Sequence, residues 1–288
     1  MGDRPDFLFV GAQKAATSWL HASLSRLPGV FLPAVKESHF FRQTSSDPFT
    51  WASAQRRAQV AKIMRPYKGR ANLTDHDRCL IAQLEHYSKD HVDDKWYRKV
   101  FSFARGDDLC GEVCPSYFGL PIRDIERVLE ISPEVRVVLV VRDPVDRCWS
   151  SIRMMMRSEG SGFRLESLLN EPERLDPILS YTDYRRAIPN WESMTQSQLR
   201  VFLFDDIVDE PGETLSQIAD HIGYQETIES SPLAPAHVGD PIPIPDVFRV
   251  MLYERLRPQY EFLAALFPET VADWQRRHEL EVGKAVLI

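Results

Sequence analysis

No stretch of this 288-residue chain runs through the roughly 18 consecutive apolar residues a helix needs to cross a bilayer, so no membrane span is expected. Met1-Gly-Asp-Arg-Pro-Asp6 passes directly into a strand-like run, leaving no secretory leader to read. Cysteine is scarce. Cys79, Cys110, Cys114 and Cys148 form no C-x-x-C pair and no metal-ligand spacing, so structural thiols in a reducing, cytoplasmic compartment are expected, with no metal site. Excess positive charge is also missing: 35 Lys and Arg stand against 42 Asp and Glu, a formal charge of −7. A broadly basic surface that grips a long polyanion, nucleic acid included, is thereby disfavoured. No internal repeat or low-complexity tract is present. What remains is a soluble globular chain, 43% apolar, long for one domain but consistent with a single large α/β domain over 1–288 carrying insertions.

The most informative residues lie in the first forty or so. Asp6-Phe-Leu-Phe-Val-Gly11 reads as a strand, followed by a turn containing Lys14 and an amphipathic segment opening on Thr17-Ser18. Backbone N–H groups and hydroxyls at such a helix start are where a phosphate sits. A lysine there is disfavoured by the helix dipole unless an anion binds. The order Gly-Lys-[Ser/Thr] of the usual nucleotide-phosphate loop is absent, because Gln13 precedes Lys14 and Thr17 follows it by three residues. Further on, Glu134–Val141 is a near-continuous β-branched run, as expected of a strand buried on both faces of a parallel sheet. It ends in Arg142-Asp-Pro-Val-Asp-Arg147-Cys-Trp-Ser150, with Asp143 as a helix N-cap and Pro144 in the first helical turn. Arg142 then sits at the carboxyl edge of a sheet, where open α/β folds bind ligands, and Ser150 about two turns into the next helix.

Gly11-x-x-Lys14-x-x-Thr17-Ser18-x-Leu20 resembles the 5′-phosphosulfate loop of sulfotransferases that use 3′-phosphoadenosine 5′-phosphosulfate (PAPS). The family usually has Gly where Ala16 stands, and alanine is expected to hold the ordinary right-handed conformation there. The Arg142-to-Ser150 string is similar to the family's 3′-phosphate motif. Lys36-Glu-Ser-His-Phe-Phe41 and Gly111-Glu112-Val-Cys-Pro115-Ser-Tyr117-Phe118 extend the resemblance to the branch containing the heparan sulfate enzymes and their bacterial relatives, in family order. Val113 takes a position where that branch commonly has Lys. The resemblance implies a P-loop-like three-layer fold, with a mainly parallel central sheet flanked by helices. It implies that Lys14, Ala15, Ala16, Thr17, Ser18 and Trp19 hold the 5′-phosphosulfate end, and that Arg142 and Ser150 hold the 3′-phosphate. Glu37 maps onto the catalytic base and His39 onto its polar neighbour, with orienting, acceptor-binding and base roles all open. Glu112 is open too, between ordering the active-site lysine or the acceptor and satisfying backbone at a strand end.

The implied reaction moves the sulfuryl group of PAPS to a hydroxyl of a carbohydrate, lipid or small natural product, without a required metal. Heparan-like polymers are disfavoured by the acidic charge, and the chain looks more like a bacterial, cytoplasmic member. Two other classes stay open: a P-loop kinase or NTPase, and a nucleotide-binding module without catalysis. Elsewhere helices are expected over 49–65, 121–129, 181–194 despite Pro189, 213–222 with Gly223 as C-cap, and 246–267 with a stripe from Val247 to Leu266. Leu199–Phe204 reads as a strand closed by Asp205-Asp206. Residues 42–108 are expected to be an acceptor-facing insertion with Trp96-Tyr97 as core anchors, and the proline-rich 230–245, with His237-Val-Gly239, an irregular loop beside the nucleotide or the acceptor.

Overall fold

A computed structural model describes residues 2–42, 50–89, 92–228 and 242–285. Five strands, β1 (Phe7–Gly11), β2 (Val30–Phe31), β3 (Leu109–Val113), β4 (Arg136–Val141) and β5 (Leu199–Leu203), form one sheet in the order β2-β3-β1-β4-β5. Every pairing is parallel, as the β-branched run of β4 predicts for strands with both faces covered. The helices are α1 (Thr17–Leu24), α2 (Thr50–Met64), α3 (Asp75–Tyr87), α4 (Asp94–Phe101), α5 (Ile122–Ile131), α6 (Pro144–Glu159), α7 (Ser167–Asn170), α8 (Asp176–Ser180), α9 (Tyr184–Thr195), α10 (Phe204–Asp209), α11 (Pro211–Ile222), α12 (Asp246–Leu266) and α13 (Pro268–Ala285). None of the described helices is long and apolar enough to cross a membrane.

The strand order creates the site. From β1 the chain leaves toward β2 at one edge, and from β4 it leaves toward β5 at the other. The crevice between the carboxyl ends of β1 and β4 is therefore the topological switch point, where ligands bind in open α/β sheets. The turn after β1 is tied to the neighbouring strand by Ala12 N–H donating to the Val140 carbonyl at 2.9 Å. All five residues of β1 are buried, and so are all of β4 except Arg136.

Local sequence explains most boundaries. Asp143 caps α6 by accepting the Asp146 N–H at 3.0 Å, and Pro144 occupies the first turn, as expected. The segment after Thr74 forms two capped helices: Thr74 and Asp77 form a reciprocal capping box on α3, and Asp93 accepts the Trp96 N–H on α4. Gly223 takes φ 90° beyond α11, and Pro189 lies inside α9. Three expectations change. Phe204 leaves the strand and opens α10, with Asp205 and Asp206 in the first turn, where carboxylates favour the helix dipole. The α12 stripe buries Leu252, Leu256, Tyr260 and Leu263, while its ends Val247 and Leu266 are exposed. Helix α13, unanticipated, packs along α12 through buried Val271 and Trp274. The loop expected at 230–245, with His237-Val-Gly239, falls outside the described residues up to 241.

Gly111 fixes how closely β3 and β1 approach. A Cβ built there lies 2.0 Å from Phe7 Cζ, a ring locked in the core. Gly111→Ala is expected to cost at least about 1–3 kcal/mol through overpacking, read from the urea midpoint. Phe7→Leu in the same chain should return part of that loss, and a purely additive double mutant would contradict the contact.

Candidate active site

The turn after β1 is built from unusual backbone. Gly11 has φ 139°, and a Cβ on it would lie 2.9 Å from Phe118 Cβ, so this position requires glycine. Lys14 and Ala16 both adopt left-handed conformations, at φ 70° and 60°. The expectation for Ala16 is thus corrected: it takes the conformation glycine would take, at a cost of about 1–2 kcal/mol that the surrounding packing must offset. It is the N-cap residue of α1, and Leu20 N–H donates to its carbonyl at 2.9 Å. The first-turn amides of α1 lie ahead of that bond, where helices hold anions. The Trp19 indole is buried in the core, so its backbone rather than its ring faces the turn; Ala15 is fully buried and Thr17 nearly so.

Cations converge on this turn. Lys14 is held below the ordinary lysine range, first by burial and then by the positive charges of Arg157, Arg142 and Arg153. Arg142 donates from Nη1 to the Lys14 carbonyl at 2.8 Å and stacks over the Phe204 ring at 4.3 Å. Its backbone N–H meets the Tyr184 hydroxyl at 3.1 Å, so strand end and guanidinium are both fixed. Met154, one turn beyond Ser150 on α6, brings its sulfur within 3.9 Å of Lys14 Nζ. Ser150 itself is buried on that helix. Arg147 points away: it is fully buried and donates to Thr182 Oγ1 at 2.7 Å and the Ile178 carbonyl at 2.6 Å. Arg153 and Arg157 were missed by sequence reasoning, although they follow Ser150 by three and seven residues, a spacing that places all three near one helix face.

The second loop, Lys36–Phe41, carries the same kind of strain. Glu37 and His39 are both left-handed, at φ 64° and 57°. Between them the Ser38 N–H donates to Glu112 Oε1 at 2.9 Å. Glu112 is buried, and its other oxygen accepts the Tyr97 hydroxyl at 2.7 Å and the Tyr117 hydroxyl at 3.2 Å. This carboxylate therefore ties the loop to α4 and to the turn after β3, and it satisfies a backbone N–H of the loop. Phe40 stacks on Tyr97 with centroids 4.3 Å apart, and Trp96 and Tyr97 are core residues as expected. Val113, at the position where lysine is common, is buried in the sheet. The cation brought to this loop is Lys36, whose Nζ lies 3.3 Å from Ser18 Oγ, 3.5 Å from Thr17 Oγ1 and 3.5 Å from Glu37 Oε1.

His39 Nδ1 is hydrogen-bonded to Ser116 Oγ at 2.7 Å, and its Nε2 faces Glu37 Oε2 at 3.9 Å. Burial, with help from Arg42 and Arg56, pushes the imidazole down to about 4, so it is neutral at physiological pH. Burial raises the Glu37 carboxyl above its usual range, partly offset by Lys36. Its side chain is 26% exposed, so it reaches the crevice.

Among the described residues, Asp143, Asp146 and His278 form the one group whose atoms could together hold a metal ion. Their lone pairs are engaged. Asp143 Oδ1 accepts the Tyr260 hydroxyl at 2.9 Å, and Oδ2 accepts from His278 Nε2 at 2.9 Å and Arg277 at 3.4 Å. Arg249 donates to His278 Nδ1 at 3.2 Å, which fixes the proton on Nε2. Arg277 also pairs with Asp146 at 3.7 Å, so a guanidinium supplies the cation. The network fastens α12 and α13 to the cap of α6.

Residues 5–227 match the model of the sulfotransferase family, and the chain belongs to that family, enzymes that use PAPS. Its structure is similar to that of a sulfotransferase from Alicyclobacillus acidocaldarius, with a TM-score of 0.64 and 22% identity over 94% of this chain and 99% of the other. The sulfotransferase domain of the Synechococcus PCC 7002 olefin synthase aligns with a TM-score of 0.51 and 14% identity, over 87% and 93%. That of the curacin biosynthetic pathway gives 0.51 and 13%, over 87% and 96%. These likenesses carry the fold. No curated protein matches the chain.

Glu112→Ala should leave three buried donors without their acceptor and destabilise the protein by about 2–4 kcal/mol in chemical denaturation. Glu112→Gln, which keeps one acceptor oxygen, should cost less; equal stabilities for the two variants and wild type would contradict the tether.

Proposed function

We propose that this protein transfers the sulfuryl group of PAPS to an acceptor hydroxyl of a carbohydrate, lipid or small natural product and releases 3′-phosphoadenosine 5′-phosphate (PAP). The observation that carries the reading is Lys36 Nζ standing within 3.5 Å of both Ser18 Oγ and Glu37 Oε1, which joins an anion-binding turn to a carboxylate at the sheet's switch point. The Lys36-Glu37-x-His39-Phe40-Phe41 string supports kinship with the heparan-sulfate-type branch and its bacterial relatives.

The residues fit a bisphosphorylated donor: left-handed backbone at Lys14 and Ala16, helix-start amides, and several guanidinium groups around one lysine. PAPS supplies an activated sulfuryl group. Lys14, the hydroxyls of Thr17 and Ser18 and the amides of Ala16 and Trp19 bind the 5′-phosphate and take up the charge that gathers on its oxygen as the S–O bond breaks. Arg142 and Ser150 bind the 3′-phosphate, the guanidinium by paired hydrogen bonds. Glu37, ionised, accepts the acceptor's hydroxyl proton as the new O–S bond forms. His39 positions Glu37 from its neutral ring, and Lys36 keeps the carboxylate charged while donating to the Thr17 and Ser18 hydroxyls. A sulfuryl group carries less negative charge in transit than a phosphoryl group, so these fixed donors suffice without the metal clamp of kinases.

Calorimetric titration with PAP should show micromolar or tighter binding, weakened at least about tenfold by Lys14→Ala and by Arg142→Ala. No binding, or preference for Mg-ATP, would overturn the reading. Glu37→Gln should lower turnover by about 10²–10⁴ and leave PAP affinity nearly unchanged. Because the ionised base is the active form and burial raises its pKa, activity should fall as pH drops through a value above the ordinary carboxylate range. Lys36→Met removes the charge that opposes this rise, so the acid limb should move to higher pH; an unmoved limb would remove Lys36 from the account.

A further inference from the structure

A pocket of about 180 Å³ opens beside the second loop, lined by Arg42, Ser116, Gly119, Leu120, Pro121, Asp124, Ser180, Tyr181 and Arg186. Its wall residue Ser116 is the hydrogen-bond partner of His39, so one imidazole ring separates the pocket from the Glu37 carboxylate. Arg42 also reaches this far, since its charge helps hold His39 neutral. Two guanidinium groups come from different parts of the chain. Arg42 follows the Phe40-Phe41 turn and donates to the Tyr181 hydroxyl, and Arg186 reaches over Gly119 from α9. A Cβ on Gly119 would lie 3.1 Å from Arg186 Nη2, so the missing side chain is what lets the guanidinium settle there. The single carboxylate of the lining, Asp124, pairs with Arg123 at 3.4 Å, and Asp183 meets Arg186 at 3.6 Å. Leu120 and Pro121 supply an apolar floor.

We infer that this pocket binds an oxyanion carried by the acceptor, a carboxylate, phosphate or sulfate, and that the acceptor is therefore a small anionic molecule bearing a hydroxyl. The inference rests on the sulfotransferase reading for the word acceptor; the anion site stands on the pocket alone. Two planar forks facing one space suit an oxyanion, which accepts parallel hydrogen bonds from each. The space is open on one side and has room for one charged group on a short carbon frame, with the rest of the molecule extending out of the mouth. The oxyanion at Arg42 and Arg186 anchors one end of the molecule, and the hydroxyl end leaves by the pocket mouth to reach Glu37, because the buried Ser116 and His39 side chains close the direct line. This also reconciles an acidic protein with an anionic acceptor, since Arg42, Arg123 and Arg186 outnumber Asp124 and Asp183 around the pocket.

The test is binding of paired probes to the protein, free and saturated with PAP, followed by ligand-observed NMR: glycolate, 4-hydroxybenzoate, 4-hydroxyphenylacetate and 4-hydroxyphenyl sulfate, each against its uncharged amide or alcohol. At least one anion should bind about tenfold or more tighter than its neutral partner, the size of one charge-assisted hydrogen bond. Arg42→Gln with Arg186→Gln should erase the preference while PAP affinity stays unchanged. Both side chains lie at the surface, so the variant should keep its fold; Gly119→Ala, which displaces Arg186 and keeps both charges, should weaken the preference separately. Anions that bind no better than neutral partners, or not at all, or a preference that survives the double substitution, overturn the inference. Failure of wild type to bind PAP instead overturns the donor reading, and the probes on free protein still decide the pocket.

Discussion

Everything in the crevice depends on one buried carboxylate. Glu112 lies on β3, beside the first strand, and its oxygens collect the Ser38 N–H and the hydroxyls of Tyr97 and Tyr117. A buried carboxylate is costly to ionise, and burial indeed raises its pKa, with the donors from Ser38, Tyr97 and Tyr117 working against the rise. Those donors give the ionised group its compensation, and the group in return clamps a peptide flanked on both sides by left-handed residues, Glu37 and His39. Without the clamp the strain would relax through the loop, and the carboxylate facing Lys36 would lose its place. Strained backbone at a functional loop, held by a rigid neighbour, is how a fold keeps a reactive group in one orientation.

The turn after β1 uses the opposite arrangement. There the backbone strain at Lys14 and Ala16 is matched by cations crowding one another, Lys14 beside Arg142, Arg153 and Arg157. Like charges held close in a half-buried site destabilise the protein until an anion enters, so the site stores a preference for multiply charged ligands. Lys36 lies where the two halves meet, with hydroxyls of the turn on one side and the Glu37 carboxylate on the other. Farther out, the Asp143 network fixes the start of α6, and so the helix that carries Ser150.

Much of this was legible in the residue order because it is local. A strand ending in Gly11, a lysine before a hydroxyl pair, and Asp143-Pro144 after a β-branched run each announce their structure within a few residues, and the sheet's carboxyl edge follows from them. What was hidden is what depends on distant partners. Alanine's intrinsic preference opposes φ 60°, and tertiary packing overrides it at Ala16. The partners of Glu112 lie 74, 15 and 5 residues away, beyond any spacing rule. Phe204 favours a strand by composition, yet its ring lies under Arg142 and its backbone starts a helix. Helix α13 carries its buried contacts on a largely charged surface, Val271, Trp274 and His278, so its pattern is thin without α12 to read it against. The pocket between Arg42 and Arg186 joins residues from three separate segments and has no sequence signature at all.

The measurement that bears most directly on the central claim is a crystal structure of the protein with PAP. The account predicts the 5′-phosphate within hydrogen-bond reach of Lys14 and the amides leading into α1, the 3′-phosphate on Arg142 and Ser150, and the Glu37 carboxylate on the open side of the 5′-phosphate. A nucleotide bound away from the crevice between β1 and β4, or bound there with Glu37 turned away from the 5′-phosphate, would contradict it.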